Sequence, residues 1–197
     1  MTEENKGLLK EHLIRMVSIA KYARECSLYS HELHFPYDYS EKHLFVSSPD
    51  IEFLRFVLRN TVILELSKLF LKGNHKHSFP KLIDKLKDTF MDKNLSDYVK
   101  SEFNQFKMEK ESLFEDINTL RDKMIAHSDL EEFEAGNTVF EHLQNINDFI
   151  SFSYRLIREI YKKVFEEEMP FDFESPFFEK TKFELLTVFK EYKSVNP

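Results

Sequence analysis

Ile117-Asn-Thr-Leu-Arg-Asp-Lys-Met-Ile-Ala-His-Ser-Asp129 is the stretch whose reading decides the fold. It is the place where an Arg, an acid and a His fall together at the end of an amphipathic helix. On a helical wheel of about 100° per residue with Ile117 at zero, Leu120, Met124 and His127 lie within roughly 80° of it. Arg121 lies about 120° around from His127, on the other flank of the same apolar stripe. The two groups therefore border a surface that favours burial. One straight helix cannot bring both onto a small target, whereas two copies facing each other can.

The residue types point to proton and phosphate chemistry. Imidazole takes and gives a proton near neutral pH. Guanidinium stays charged and presents a planar fork of donors that matches phosphate oxygens and the charge that builds on them during transfer. Asp122 could orient either group through a charge-assisted hydrogen bond. The set suits RNA cleavage without a metal, in which the ribose 2′-OH attacks its own phosphate. That reaction needs a base and an acid, and a two-fold dimer would bring two copies of His127 together.

Leu-Arg-Asp-Lys-Met-Ile-Ala-His-Ser-Asp, from Leu120 to Asp129, resembles the signature of the HEPN superfamily: an Arg, a polar residue, then a His after four to six intervening positions. Within that superfamily it is most similar to the abortive-infection, AbiU-like branch. Val-Ile-Leu-Glu-Leu-Ser-Lys-Leu-Phe from Val62 to Phe70 and Ser-Phe-Pro-Lys-Leu-Ile from Ser78 resemble the same branch. The resemblance runs from about Leu8 to Ile160, with the helices after Pro170 outside it. It implies an all-α bundle, dimerisation through the motif helices and, in many members, ribonuclease activity. Arg24 and His31 give a second match to the spacing. They are set aside because Cys26 and Ser27 interrupt the motif and His31 leads into a tyrosine-rich loop.

Composition narrows the alternatives. With 197 residues, 3 Gly, 6 Pro, 21 Phe and no Trp, the chain reads as a single helical domain whose core is built on phenylalanine. A net charge of −7 argues against a general nucleic-acid coat protein. The charge is uneven, however. Between Lys68 and Lys100 there are eight Lys against four Asp, and from Asp129 onward acids outnumber bases fifteen to eight. A basic stripe could guide RNA while the tail stays acidic. Cys26 is the one cysteine, so an intrachain disulfide and a zinc–cysteine cluster are excluded. The residues from Met1 to Lys6 lack a basic n-region and apolar h-region, and no apolar run is long enough for a membrane span, so a cytoplasmic location is expected.

The pattern predicts successive helices. The first begins after Thr2 as N-cap and buries Leu8, Leu9, Leu13, Met16, Ile19, Ala20 and Ala23. Phe35 to Ser48, with Tyr37 and Tyr39, reads as an ordered loop that either covers the bundle end or stacks on bases. Ser48 and Pro49 open a second helix with the stripe Ile51, Leu54, Leu58, Val62 and Leu69, ended by Gly73-Asn74. Glu65 falls near that stripe, either paired with a base on a neighbouring helix or set beside Arg121 and His127. His75-Lys76-His77 reads as a solvated loop, because two His without an acid make a poor metal site. His31 and His34 are read in the same way. A short third helix from Ser78 to about Phe90 points Leu82, Ile83 and Leu86 inward. Ser96 is expected to cap a fourth helix through Phe103 and Phe106, with a break near Met108 left open. Thr138 to Glu141 forms a capping box for a long helix to about Glu167. Ser175-Pro176 starts a last helix with Phe178, Phe183, Leu186 and Phe189.

The expectation is therefore an all-α, up-and-down, HEPN-like bundle over residues 1–168, with a helical extension, 169–197, docked on it. Arg121, His127 and Asp122 are the candidate catalytic residues, and Lys123, Ser128 and Glu65 the candidate substrate contacts. No metal, cofactor or membrane is expected. The partners implied are a second copy through the motif helices, an RNA substrate and, for a toxin or anti-phage effector, an antitoxin protein. The alternative is a non-catalytic helical module that binds nucleotide, RNA or protein through the same groove.

Overall fold

The computed structural model describes residues 1–34, 49–73, 75–126 and 143–170. Among them lie six helices: α1 (Glu3–His34), α2 (Pro49–Phe70), α3 (Phe79–Asp88), α4 (Lys93–Glu109), α5 (Glu111–Ala126) and α6 (Leu143–Phe165). No strand occurs among the described residues, and the architecture is the all-α bundle expected. The loop at 35–48, Ser48 as a cap, the capping box at Thr138 and the helix after Ser175 lie outside the described residues.

Three of the helix starts have a visible chemical cause. Thr2 Oγ1 accepts the Asn5 N–H at 3.2 Å, and Ser78 Oγ accepts the Lys81 N–H at 3.3 Å with Pro80 in the first turn of α3. The fourth helix departs from expectation. Asp92 caps it, accepting the Leu95 N–H at 3.0 Å, while Ser96 lies inside the helix, buried, and donates to the Ile83 carbonyl at 2.9 Å. An Asp at the turn satisfies the orphan N–H groups first, which frees Ser96 to tie α4 to α3. Met91, at φ 55°, turns the chain between the two helices, and the Asp92 N–H bonds the Leu86 carbonyl. The break left open near Met108 falls at Lys110, which separates α4 from α5. The long helix α6 stops at Phe165, two residues before the end expected near Glu167, because Glu166 adopts φ 57°.

α1 packs along α2 and α6, α2 also packs along α5, and α3 packs on α4. The buried stripe of α1 passes through Leu9, His12, Leu13, Met16, Ala20 and Ala23. Leu8, one residue out of phase with that stripe, is 50% exposed rather than buried. Along α2 burial of the apolar stripe deepens from Leu54, 42% exposed, through the partly buried Leu58 to Val62, at 1%. There Phe70 meets the rings of Phe79, Phe103, Phe106, Phe114, Phe149 and Phe152, with centroids 4.8 to 6.3 Å away. Phe106 and Phe152 stack at 4.1 Å with planes 9° apart.

A polar seam joins α4 to α6 on the outside of this core. Lys163 sits over the Tyr98 ring, Tyr98 donates to Glu159, Arg155 bonds Glu102 at 2.8 Å and Lys110 bonds Asp148 at 2.5 Å. As α4 advances from Tyr98 to Lys110, its partners recede from Lys163 to Asp148, so the two helices run antiparallel.

Phe70→Ala should therefore lower unfolding free energy by about 3–5 kcal/mol. Urea denaturation checks this, and a loss under about 1 kcal/mol would show that the ring cluster is not the centre of packing.

Candidate functional site

α5 carries the motif as far as Ala126. Ile117 and Leu120 are buried at 0% and 4% exposure, which fixes the apolar stripe on the inner face of the helix. That places Arg121 on its flank, with 24% of its side chain exposed. Two neighbours on the same helix hold the guanidinium. Nε and Nη2 donate to Asp122 Oδ1 at 2.9 and 2.6 Å, and Nη2 also donates to Asn118 Oδ1 at 3.0 Å. Asn118 in turn donates weakly to Asp122 Oδ2 at 3.5 Å. Asp122 is more than half exposed, so water screens the pair, and its effect is chiefly to aim the fork rather than to stabilise the fold. Asn118, one turn before Arg121, was not singled out in the sequence. Its i, i+3 spacing is the signal that could have found it.

The other predicted residues divide. His127 and Ser128 lie outside the described residues, and so does the side chain of Lys123. Glu65 is buried on α2 and pairs with Lys68, one turn on in the same helix rather than on a neighbouring one. Arg121 and Glu65 thus have separate partners. Glu65 also faces Tyr22 and Cys26 of α1, where burial first and then its charge push the Cys26 thiol up to about 11. A thiol held so high is a packing group, not a nucleophile.

His75 and His77 differ from the solvated loop predicted for them. The His77 Nδ1 lies 3.2 Å from Nδ1 of His12, which is 2% exposed on the inner face of α1. Lys85 Nζ reaches the same His12 nitrogen at 3.2 Å, and the His77 N–H points to His75 Nδ1 at 3.4 Å. Burial, followed by the Lys85 charge, lowers the His12 pKa to about 3, so this imidazole is neutral at neutral pH. Nothing in the local sequence pairs residue 12 with residues 75 to 85. Only a lone polar residue on an otherwise apolar stripe marked His12.

An all-α bundle with an aimed arginine on the rim of its motif helix is the class defined by fold and site. The family comparison makes that specific: residues 9–179 match AbiU2, of the HEPN type, and the chain belongs to that family. The match continues past Ile160 and across Pro170, further than the resemblance read from the motifs. No curated protein matches, and no solved structure does. Among the described residues no helix is long and apolar enough to cross a membrane.

Lys68→Met should leave the Glu65 carboxylate buried without its partner and lower stability by about 1–3 kcal/mol, and Glu65→Leu in the same chain should recover most of it. Thermal melts of the single and double variants check this. An unchanged melt for Lys68→Met would free Glu65 for a role beside Arg121.

Proposed function

We propose that this chain is an endoribonuclease that needs no metal, acting as an anti-phage effector or toxin through a site shared by two copies. The observation that carries the reading is the Arg121 fork, held by Asp122 and Asn118 on the rim of α5 six residues before His127. In the proposed reaction one His127 removes the proton of a ribose 2′-OH, and the oxygen attacks the adjacent phosphorus. The bond to the 5′ oxygen breaks, leaving a 2′,3′-cyclic phosphate. The partner copy's equivalent imidazole protonates the departing 5′ oxygen. Arg121 stabilises the charge that grows on the non-bridging oxygens, and Asp122 keeps its plane fixed. Lys123 and Ser128 remain the proposed substrate contacts, and Glu65 would join them only on leaving its partner Lys68. A reducing cytoplasm and an antitoxin partner fit the same reading.

One observation favours a second reading, a binding module without turnover. Asp122 already occupies the Arg121 fork, and a carboxylate beside a phosphate site repels the substrate unless it moves aside. The net charge of −7 acts in the same direction.

Incubation of the purified chain with single-stranded RNA in EDTA separates the two. Cleavage with 2′,3′-cyclic phosphate ends is expected, with a loss of about a hundredfold or more in His127→Ala and in Arg121→Ala. The native mass should be twice the 23.7 kDa of one chain. Saturable RNA binding with no product, or undiminished cleavage by His127→Ala, selects the binding module or another site.

A further inference from the structure

The cluster around His12 has more donors than acceptors. Lys85 carries an ammonium, so at their 3.2 Å contact the His12 Nδ1 must accept. The His77 Nδ1, also at 3.2 Å, competes for that single lone pair. His12 Nε2 is fully buried and has no hydrogen-bond partner, with the Ser78 carbonyl near enough to favour a proton on the ring. His75 accepts from the His77 N–H and so donates nothing back at Nδ1.

The charges facing this group come from every element around it: Glu11 and Arg15 from α1, His75 and Lys76 from the loop, and Lys81 and Lys85 from α3. Glu11 is the one acid in the set. Lys76 and Lys81 are exposed, Lys85 and His77 half-buried, and His12 forms the floor. Such a group is short of negative charge, with Glu11 set against Arg15, Lys76, Lys81 and Lys85. A metal ion would not supply it, since the lysine ammonium already stands on the histidine lone pair that a metal would need.

The cluster is also remote from Arg121. Phe114 of α5 touches Phe70 at the end of α2, and α5 packs back along α2. Arg121 is seven residues further on, about 10 Å at the helical rise, towards the start of α2. His75 and His77 lie past the other end of α2, on the segment that follows Phe70.

We propose that Lys85, His77, Lys76 and Lys81, on the floor made by His12, form a second binding site that takes a phosphate-class oxyanion. The oxyanion would accept from Lys85 and His77 together, relieving the competition for His12 Nδ1. Binding would be linked to proton uptake. Burial and then the Lys76 charge hold the free His77 below the ordinary histidine range, and a neighbouring anion raises it, so occupancy strengthens as pH falls. Taking the oxyanion to be a phosphodiester of single-stranded RNA rests on the nuclease reading above, in which this site would grip the strand away from the cut. The binding itself does not depend on that reading.

The test uses the full chain carrying Arg121→Ala, which prevents turnover, with short fluorescein-labelled single-stranded RNA in EDTA. Lys85→Met with His77→Gln should weaken binding about tenfold, and Lys76→Glu with Lys81→Glu at least as much, with a shallower salt dependence. Affinity in the unsubstituted site should rise about threefold to tenfold from pH 8 to pH 6. Inorganic phosphate is the second probe, read as a rise in Tm that the exposed Lys76→Glu, Lys81→Glu variant loses. A phosphate-dependent rise without RNA binding keeps the site and identifies a free phosphate as its source, whether or not the native chain cleaves RNA. Equal RNA affinity in all variants, together with no phosphate-dependent change in Tm, overturns the proposal and leaves the cleavage assay to decide the nuclease reading alone.

Discussion

The contact on which the rest of this bundle depends is the burial of Phe70 against rings from α3, α4, α5 and α6. With no tryptophan in the chain, phenylalanine supplies the large aromatic surfaces, and here they converge at the end of α2. Edge-to-face contacts with Phe114 and Phe149, near 85° and 81°, give the cluster a defined geometry rather than a loose oily centre. Because Phe114 stands in the first turn of α5, the same cluster fixes where the motif helix starts. Ile117 and Leu120 continue the contact, and the rotation they impose puts Arg121 on the rim.

Much of this was legible in the sequence because a helix repeats. The spacing of Leu9, Leu13, Met16 and Ala20, or of Leu58, Val62 and Leu69, states which side is inside before any neighbour is known. The local cap at Thr2 was equally readable, since its partner lies three residues on. What could not be read depended on choice or on distance. Asp92 and Ser96 are both good caps, and only the turn at Met91 selects the first. Leu8 looked as apolar as Leu9, yet one residue of phase separates a half-exposed side chain from a fully buried one.

The candidate site was legible in the same uneven way. Arg121 and Asp122 are adjacent, so their pairing follows from the chain itself. Glu65 was seen to be anomalous on its apolar face, but its partner proved to be Lys68, on the same helix. The His12 group was missed because it joins positions more than sixty residues apart. Two basic regions of different character result: an arginine held by its own helix part-way back along α2, and an acceptor-poor nest of nitrogen groups past the end of α2.

The α4–α6 seam has a mechanical consequence. Its four contacts are spaced along both helices in one antiparallel register, so sliding either helix by a single turn would misalign every one of them together. Lys110 is the last of these teeth and also the elbow between α4 and α5, and Asp148 therefore grips the chain where the motif helix changes heading. The start of the helix that carries Arg121 is thus geared, through that elbow, to a rack of charges along α6.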